Sequence, residues 1–304
     1  MVKIAFVFPG QGSQFVGMGK DFYDHYSEAR NLFEEANEIL QYDISRICFD
    51  GPEDTLRLTE NTQPALLIHS IMALKILREN GINSVLAAGH SLGEFSALVA
   101  AGALKFQDAV RLVNLRGKFM QEAVPVGIGS MAAIIGLDCI SVQNIIDEGN
   151  LDVQIANDNS PIQVVISGMI NSIDKSKDIF LKKGAKKFVK LNVSAAFHSN
   201  LMLKAQNIMR KYIDETKFSD SDISIISNFS SKISNNSAAI KESLINQMAN
   251  KVRWKESINE LEINNEKLLI EIGPGKVLSG LVKRITNSFD IISIDQVKNL
   301  ELFK

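Results

Sequence analysis

A serine between two glycines is the residue of this chain best suited to chemistry. An apolar run of strand length at 85–88 is followed at once by Gly-His-Ser-Leu-Gly at 89–93, and a helix-forming run then begins. Such a turn lifts the hydroxyl clear of the sheet and sets it at a helix N-terminus, where negative charge is favoured. We therefore interpret Ser91 as a nucleophile. For the five-residue pattern alone, the alternative is a helix-capping serine between incidental glycines.

Four histidines are available as the base that a nucleophilic serine requires: His25, His69, His90 and His198. His25 has a surface-type context, His69 lies in an apolar helix, and the His90 side chain is expected on the side of the backbone opposite Ser91. His198 remains as a general base that takes the hydroxyl proton and returns it to a leaving thiol. Its pKa is expected at roughly 6–7 unless a cleft shifts it. A surface histidine is the alternative.

The first predicted strand ends in a glycine-rich turn, Pro-Gly-Gln-Gly-Ser-Gln at 9–14. The turn lacks the Gly-Lys-Ser/Thr ending of a phosphate-binding loop and the Gly-x-Gly-x-x-Gly spacing of a dinucleotide site. In a parallel sheet it would lie at the same edge as Ser91, with backbone N–H groups able to face an oxyanion. Gln11 is therefore a candidate oxyanion donor, and a plain connecting turn is the alternative.

Composition and charge indicate a globular enzyme. Of 304 residues, 45 % are hydrophobic and 22 % charged, and the net charge of −2 predicts neither a nucleic-acid nor a membrane partner. The chain moves directly into a strand pattern and no later apolar run reaches spanning length, so we expect a cytoplasmic protein. Two cysteines are too few for a disulfide framework or a structural zinc site, and no metal site is expected.

The order of predicted elements indicates an α/β fold in two parts. Residues 1–126 and 195–304 are expected to form a large α/β-hydrolase-like catalytic domain with a parallel sheet, including helices over 22–40 and 65–77. Residues 127–194 show the order β-α-β-β-α-β, with the second strand at 153–156, which is typical of a small ferredoxin-like subdomain. His198 follows the return to the large domain, so a cleft between the two parts would set it opposite Ser91.

Five blocks of sequence stand in order along nearly the whole chain. They are Phe-Pro-Gly-Gln-Gly-Ser-Gln at 8–14, Gly-His-Ser-Leu-Gly-Glu at 89–94, Arg-Gly-Lys-Phe-Met at 116–120, Ala-Asn-Asp-Asn-Ser-Pro at 156–161 with Gln-Val-Val-Ile-Ser-Gly at 163–168, and Ala-Phe-His-Ser at 196–199. Together they resemble malonyl-CoA:acyl carrier protein transacylases of type II fatty acid synthesis. The Gly-x-Ser-x-Gly block alone also suits lipases and esterases.

The resemblance implies a ping-pong transfer. Ser91 would accept malonyl from malonyl-CoA as an ester and yield it to the phosphopantetheine thiol of acyl carrier protein, with no permanently bound cofactor. The backbone N–H groups of Gln11 and Leu92 would form the oxyanion hole, and His198 would be the acid and base. A main-chain carbonyl at Gln247 or a neighbour would orient that histidine. We expect a monomer.

The resemblance also implies how malonyl is selected. Arg116 would clamp the free carboxylate, because the planar guanidinium matches a carboxylate with two hydrogen bonds. The bulky ring of Phe197 would leave little room for an α-methyl branch, which disfavours methylmalonyl. Met120 and Asn157, which lie in the matching blocks, are predicted to line the substrate site.

Basic clusters are candidates for docking of the carrier protein, which in this family presents an acidic helix. They are Lys283 with Arg284 at the end of a late helix, and Lys186 with Lys187 in the small subdomain; each could instead be a solvated face. Two other functions stay open. A serine hydrolase is disfavoured by Arg116 and by the lack of a histidine after His198, and a non-catalytic binding module is disfavoured by the intact serine and histidine.

Overall fold

The computed structural model of the protein describes residues 3–125, 127–193 and 195–303. The strands are β1 (Ile4–Phe8), β2 (Leu86–Gly89), β3 (Gly129–Ile135), β4 (Val153–Ser160), β5 (Gln163–Met169), β6 (Lys187–Lys190), β7 (Ser224–Ile226), β8 (Ile233–Ser234), β9 (Leu268–Ile272) and β10 (Asp290–Ile294). The α-helices are α1 (Lys20–His25), α2 (Ser27–Leu40), α3 (Ile44–Asp50), α4 (Glu53–Arg57), α5 (Thr59–Glu79), α6 (Gly93–Ala100), α7 (Phe106–Ala123), α8 (Cys139–Glu148), α9 (Ile170–Lys182), α10 (Leu203–Glu215), α11 (Ser237–Ile245), α12 (Trp254–Ile263) and α13 (Val277–Ile285). Short 3₁₀ helices cover Asn200–Met202 and Val297–Phe303.

The larger sheet has the strand order β10-β9-β1-β2-β7-β8. All neighbouring pairs are parallel except β7 with β8, which are antiparallel. The central strand β1 reads Ile-Ala-Phe-Val-Phe, because a parallel strand covered on both faces has no solvent side. Since β1 and β2 are parallel neighbours, the turn at 9–14 and the loop of Ser91 leave the sheet at the same edge.

Helices cover both faces of this sheet. Phe6 and Phe8 of β1 point into the larger core, to which α2, α5 and α7 contribute, while the alternate residues Ala5 and Val7 point into the opposite core beside Trp254 of α12. This alternation is the two-residue period of a strand. The helix α5 is buried along nearly its whole length, as the apolar run at 65–77 predicts for that part, and polar residues of its first turns are buried as well.

The smaller sheet is antiparallel and has the order β4-β5-β3-β6. Its core is formed by one face of the strands with apolar residues of α8 and α9, among them Val142 and Phe180. This is the ferredoxin-like arrangement, so the predicted fold class, α/β with a parallel sheet and a small antiparallel one, is confirmed. Division of the chain at 127 and 194 into two domains stays a prediction, and the boundary residues Val126 and Ser194 lie outside the described residues. Within the described ranges, no helix combines the length and hydropathy needed to span a bilayer.

Three elements differ from their predicted bounds. The helix predicted over 22–40 is interrupted at Tyr26, whose backbone is extended, and forms α1 and α2. The helix predicted from 65 begins at Thr59 and contains Pro64, which has no N–H to donate to the Glu60 carbonyl. The side-chain amide of Asn114 donates to that carbonyl instead, at 3.0 Å. Strand β4 continues to Ser160 through two irregularities in its pairing with β5.

Glycines permit the close contact between β1, β2 and α6 that forms the loop of Ser91. A Cβ on Gly93 would lie 2.0 Å from the Phe8 carbonyl oxygen, and one on Gly89 would lie 1.9 Å from the Gly93 backbone. A Cβ on Gly10 would similarly meet the His90 carbonyl oxygen at 2.3 Å. The turn after β1 and the loop after β2 therefore touch through their backbones.

We expect Gly93→Ala to cost about 3 kcal/mol or more in free energy of unfolding, because backbone atoms cannot move aside as a side chain can. The matched control is Gly280→Ala in α13, where a Cβ would meet nothing within 4 Å. That change should raise stability by ~0.5–1 kcal/mol through helix propensity. Urea unfolding followed by circular dichroism measures both, and equal stabilities of the two variants would contradict the packing argument.

Candidate active site

Ser91 lies immediately after β2 and just before α6, at the sharp turn that the sequence predicts. Its φ is 52°, a left-handed conformation that is strained for a residue with a side chain. Asn228 holds this backbone from both sides: its Oδ1 accepts from the Ser91 N–H at 2.6 Å, and its Nδ2 donates to the Gly89 carbonyl at 2.6 Å. The strained turn is therefore fixed by a side chain that follows β7.

His198 faces Ser91 directly. The distance from Ser91 Oγ to His198 Nε2 is 2.7 Å, and His198 Nδ1 lies 3.1 Å from the main-chain carbonyl of Gln247. Because a carbonyl can only accept, Nδ1 carries the proton and Nε2 is the free acceptor for the serine hydroxyl. The sequence-predicted serine, histidine and carbonyl are thus brought together.

The His198 imidazole is held neutral by its surroundings. Its side chain is 4 % exposed, and burial, followed by the nearby Arg116 cation, lowers its pKa to about 3. The pKa therefore lies below the range of roughly 6–7 expected for a histidine that the cleft does not shift. The physical reason is desolvation together with a like charge, both of which disfavour the imidazolium.

Arg116 enters the same site from α7 and is 2 % exposed. Its Nη1 donates to Gln63 Oε1 at 2.9 Å, and its Nη2 donates to Gln247 Oε1 at 2.8 Å and to Ser91 Oγ at 3.1 Å. Burial lowers the pKa of Arg116 to about 10, so it stays charged at neutral pH. Among the described carboxylates none forms an ion pair with it. The Glu94 carboxylate acts on Arg116 from beyond contact distance and raises its pKa against the effect of burial, so the site holds a buried cation with no carboxylate in direct contact.

Gln247 and Glu94 complete the polar network behind Ser91. The Gln247 Nε2 amide donates to the Ser91 carbonyl at 2.8 Å and to Glu94 Oε2 at 2.7 Å. The same carboxylate oxygen accepts from the Asn228 N–H at 3.1 Å. Glu94 is 2 % exposed, and burial raises its pKa to about 7 despite these hydrogen bonds.

Two adjoining cavities lead to Ser91. The inner one has a volume of ≈ 80 Å³, and it is lined by Gln11, Gln63, His90, Ser91, Leu92, Arg116, Met120, Met131, Asn157, Leu191, Val193, Phe197 and His198. The outer one, of ≈ 480 Å³, shares Gln11, His90, Asn157, Leu191 and Val193 with it and reaches α13. The structure therefore places the predicted substrate residues Met120, Asn157 and Phe197 around the serine.

The two predicted oxyanion donors also border the inner cavity. Among the described residues, neither the Gln11 N–H nor the Leu92 N–H donates to a protein acceptor. The Gln11 side chain is turned toward Thr59, with Nε2 3.5 Å from its Oγ1. Both backbone donors are thus available to a ligand.

The basic clusters lie outside these cavities. Lys283 and Arg284 end α13 and are exposed, and Arg284 Nη1 donates to Gln163 Oε1 of β5 at 2.6 Å. Gln163 pairs in register with Ile135, and Ile135 with the exposed Lys187. Two strand spacings, roughly 10 Å, therefore separate Lys187 from Gln163. Lys186, which is also exposed, directly precedes Lys187. Both clusters are therefore found at the end of the smaller sheet that carries Gln163.

Sequence reasoning missed three neutral or buried partners: Gln63, Asn228 and Glu94. Gln63 lies in α5 two residues before the predicted helix start, and its Nε2 also contacts the Met120 sulfur at 3.6 Å. Glu94 belongs to the sequence block that carries Ser91, so its proximity to Ser91 could be predicted from the sequence. The burial of its carboxylate could not. Over the described residues, no group of three or more His, Cys, Asp or Glu side chains is arranged to hold a metal ion.

Fold and site together are those of an acyl transferase, and the family model described as acyl transferase domain matches residues 5–301. A malonyl CoA-acyl carrier protein transacylase of Bacillus subtilis (strain 168) is 48 % identical over 306 residues, covering 99 % of this chain and 96 % of that one. The chain belongs to the malonyl CoA-acyl carrier protein transacylase family, as its sequence blocks predict.

Solved structures agree with this assignment. An acyl carrier protein S-malonyltransferase from Vibrio cholerae has a TM-score of 0.95 and 39 % identity, with 99 % of this chain and 100 % of that chain covered. A malonyl-transacylase in complex with a type II PKS acyl-carrier protein has a TM-score of 0.96 and 39 % identity, with coverage of 99 % and 98 %.

The low pKa of His198 predicts acid sensitivity of the fold. In the unfolded chain its pKa is ~6.5, so below that pH the unfolded state binds a proton that the folded state does not. Its contribution to stability is complete above pH ~6.5 and is lost progressively as the pH falls toward 3. Between pH 6.5 and 5.0, wild type should lose about 1.6 kcal/mol more than His198→Gln in urea unfolding. Equal losses in the two proteins would contradict a buried neutral imidazole.

Proposed function

We propose that this protein transfers malonyl from malonyl-CoA to the phosphopantetheine thiol of acyl carrier protein, supplying extender units for fatty acid synthesis. One observation carries the proposal: a buried Arg116 with no carboxylate in direct contact lies 3.1 Å from the hydroxyl of a serine that is paired with a histidine. A buried charge is costly unless a counter-charge is supplied, and the free carboxylate of malonyl supplies one.

The first half-reaction forms a malonyl-serine. Ser91 Oγ attacks the thioester carbonyl carbon while His198 Nε2 takes its proton, and the oxyanion accepts hydrogen bonds from the Gln11 and Leu92 N–H groups. The carbon–sulfur bond then breaks, and the proton passes from His198 to the CoA thiolate. Because burial and the Arg116 cation lower the pKa of His198, the imidazole is neutral across the physiological pH range, and its Nε2 lone pair faces the serine hydroxyl at 2.7 Å.

The second half-reaction reverses these steps with the carrier thiol. The ≈ 80 Å³ inner cavity suits the small acyl group, with Met120, Asn157 and Phe197 as its contacts, and Phe197 disfavours an α-methyl branch. The outer cavity of ≈ 480 Å³ lies in the range of ligand pockets, ~300–1,000 Å³, and suits the longer pantetheine arm. The relative solved with a carrier protein supports this partner.

The carrier protein docks, in this proposal, on Lys283 and Arg284 with Lys186 and Lys187 beside them. All four residues are exposed. Arg284 donates to Gln163, which lines the outer cavity, and Lys187 lies two strand spacings, roughly 10 Å, from Gln163. Positive charge there would steer an acidic partner toward the cavity. The proposal also includes a monomer that works in the cytoplasm, without a resident cofactor or metal.

The sharpest test of the activity is mass spectrometry of the protein mixed with malonyl-CoA. We expect a malonyl-sized adduct on the peptide that contains Ser91, and its loss on addition of acyl carrier protein. Ser91→Ala should form no adduct and transfer nothing while keeping its fold, since the small side chain creates no clash.

Other functions give other results in the same experiment. Continued hydrolysis of malonyl-CoA without an acceptor thiol would indicate a serine hydrolase. Affinity for the carrier protein without an acyl-serine would indicate a binding module. Normal transfer by Ser91→Ala would contradict the proposed nucleophile.

Arg116 should govern the choice between malonyl and acetyl, which share the reacting carbonyl and differ in the distal carboxylate. In Arg116→Ala, the ratio of kcat/KM for malonyl-CoA to that for acetyl-CoA should fall about tenfold to a hundredfold, at ~1.4 kcal/mol per factor of ten. Arg116→Lys is the control, which keeps the charge but not the planar fork, and it should restore the ratio only in part. A parallel fall for both substrates would show that Arg116 supports catalysis or folding in general.

A further inference from the structure

Glu94 is the buried titratable group at this site to which the proposed reaction assigns no role. It occupies the first turn of α6, three residues after Ser91, and is 2 % exposed. Its Oε2 accepts two hydrogen bonds, from Gln247 Nε2 at 2.7 Å and from the Asn228 N–H at 3.1 Å. A buried carboxylate without a direct cation is costly, so its retention there calls for a reason.

The Gln247 amide can lie in one of two orientations, and only one suits its neighbours. Its two N–H bonds face two acceptors, Glu94 Oε2 and the Ser91 carbonyl, while its Oε1 faces Arg116 Nη2 at 2.8 Å. A flipped amide would set an NH₂ group against the guanidinium and an oxygen against the two acceptors. An acceptor oxygen at position 94, together with the Ser91 carbonyl, therefore requires the N–H side of the Gln247 amide to face them.

Resting on the proposed malonyl transfer, we propose that Glu94 is a positioning residue that selects this orientation of Gln247 and thereby presents the Arg116 guanidinium to the substrate carboxylate. Glu94 does not touch the inner cavity, so it acts through Gln247. Because acetyl has no carboxylate to meet, malonyl transfer should depend on Glu94 more strongly than acetyl transfer does.

The far side of Glu94 permits a conservative test. Its Oε1 accepts no hydrogen bond from the described residues, and Glu94 lines a separate cavity of ≈ 360 Å³ formed by residues of β7, β8 and α11. In Glu94→Gln, the amide oxygen can replace Oε2 while the NH₂ group takes the place of Oε1 on that side. Glu94→Met keeps the size of the side chain and removes the acceptor.

The experiment measures kcat/KM for malonyl-CoA and acetyl-CoA in each variant. Glu94→Met should lower the malonyl-to-acetyl ratio about fivefold to fiftyfold, and Glu94→Gln should keep the ratio within about threefold of wild type. A wild-type ratio in Glu94→Met, an equal fall for both substrates, or an equal drop in Glu94→Gln would overturn the inference.

Glu271 provides the matched control. It is also a buried carboxylate, and it accepts from the Leu278 and Ser279 N–H groups at 2.9 and 2.8 Å, remote from Gln247. Glu271→Met should lower stability and leave the ratio unchanged. A comparable fall in ratio there would show that loss of any buried carboxylate has this effect, against the inference.

A second variant keeps the inference falsifiable if Glu94→Met does not fold. Gln247→Leu removes the side-chain amide but keeps the main-chain carbonyl that holds His198. It should reproduce the fall in ratio, and a wild-type ratio would leave Glu94 with nothing to act through. Failure of wild type to form a malonyl-serine would refute the proposed function, whereas a normal adduct with unchanged ratios would refute only the role of Glu94.

Discussion

The backbone contact between β1, β2 and the start of α6 is the constraint on which this site depends. Gly93 lies so close to the Phe8 carbonyl that no side chain fits, and Gly10 lies equally close to the His90 carbonyl. The two loops that carry Gln11 and Ser91 are thereby fixed to each other through main-chain atoms. The positions of the Ser91 main chain and of the two backbone donors follow from the register of the sheet, which makes them insensitive to side-chain rotation.

Burial of Arg116 is the second feature that organises the site. Its hydrogen-bonding side-chain partners are neutral, namely Gln63, Gln247 and Ser91, and its guanidinium lies over the Phe95 ring with Cζ 5.7 Å from the centroid. These groups hold the cation in place without neutralising it, and Glu94 offsets its charge only from beyond contact distance, so the folded protein carries a desolvation cost that an anionic ligand would offset further. The buried Arg116 cation therefore lowers the stability of the folded protein and favours binding of an anion, a trade-off that is common at functional sites.

Much of the fold could be predicted because its signals are local. The serine turn, the parallel strands and the β-α-β-β-α-β order all depend on periodicity and glycine placement within short windows. The bounds of β4 could not be predicted, since its continuation past Ala156 depends on pairing with β5 through an irregular register. The break at Tyr26 leaves no glycine or proline as a marker.

The site was partly predictable for a related reason. Ser91, Arg116 and His198 belong to recognisable blocks, whereas Asn228 reaches Ser91 across 137 residues of sequence and no spacing links the two. The fall in the pKa of His198 depends on burial and on the approach of Arg116, both of which are properties of tertiary structure.

The connected inner and outer cavities have a consequence for the order of events in the proposed transfer. Five residues border both spaces, so an arm that reaches Ser91 from the outer cavity must fill the passage between them. The inner cavity, at ≈ 80 Å³, suits one small acyl group, so in the proposed transfer the donor arm leaves before the acceptor arm reaches Ser91. The acyl group stays bound to Ser91 while the CoA arm leaves the cavities and the carrier arm enters them. Substituted-enzyme kinetics would then follow from competition of the two arms for the same space, without coupling between two binding sites.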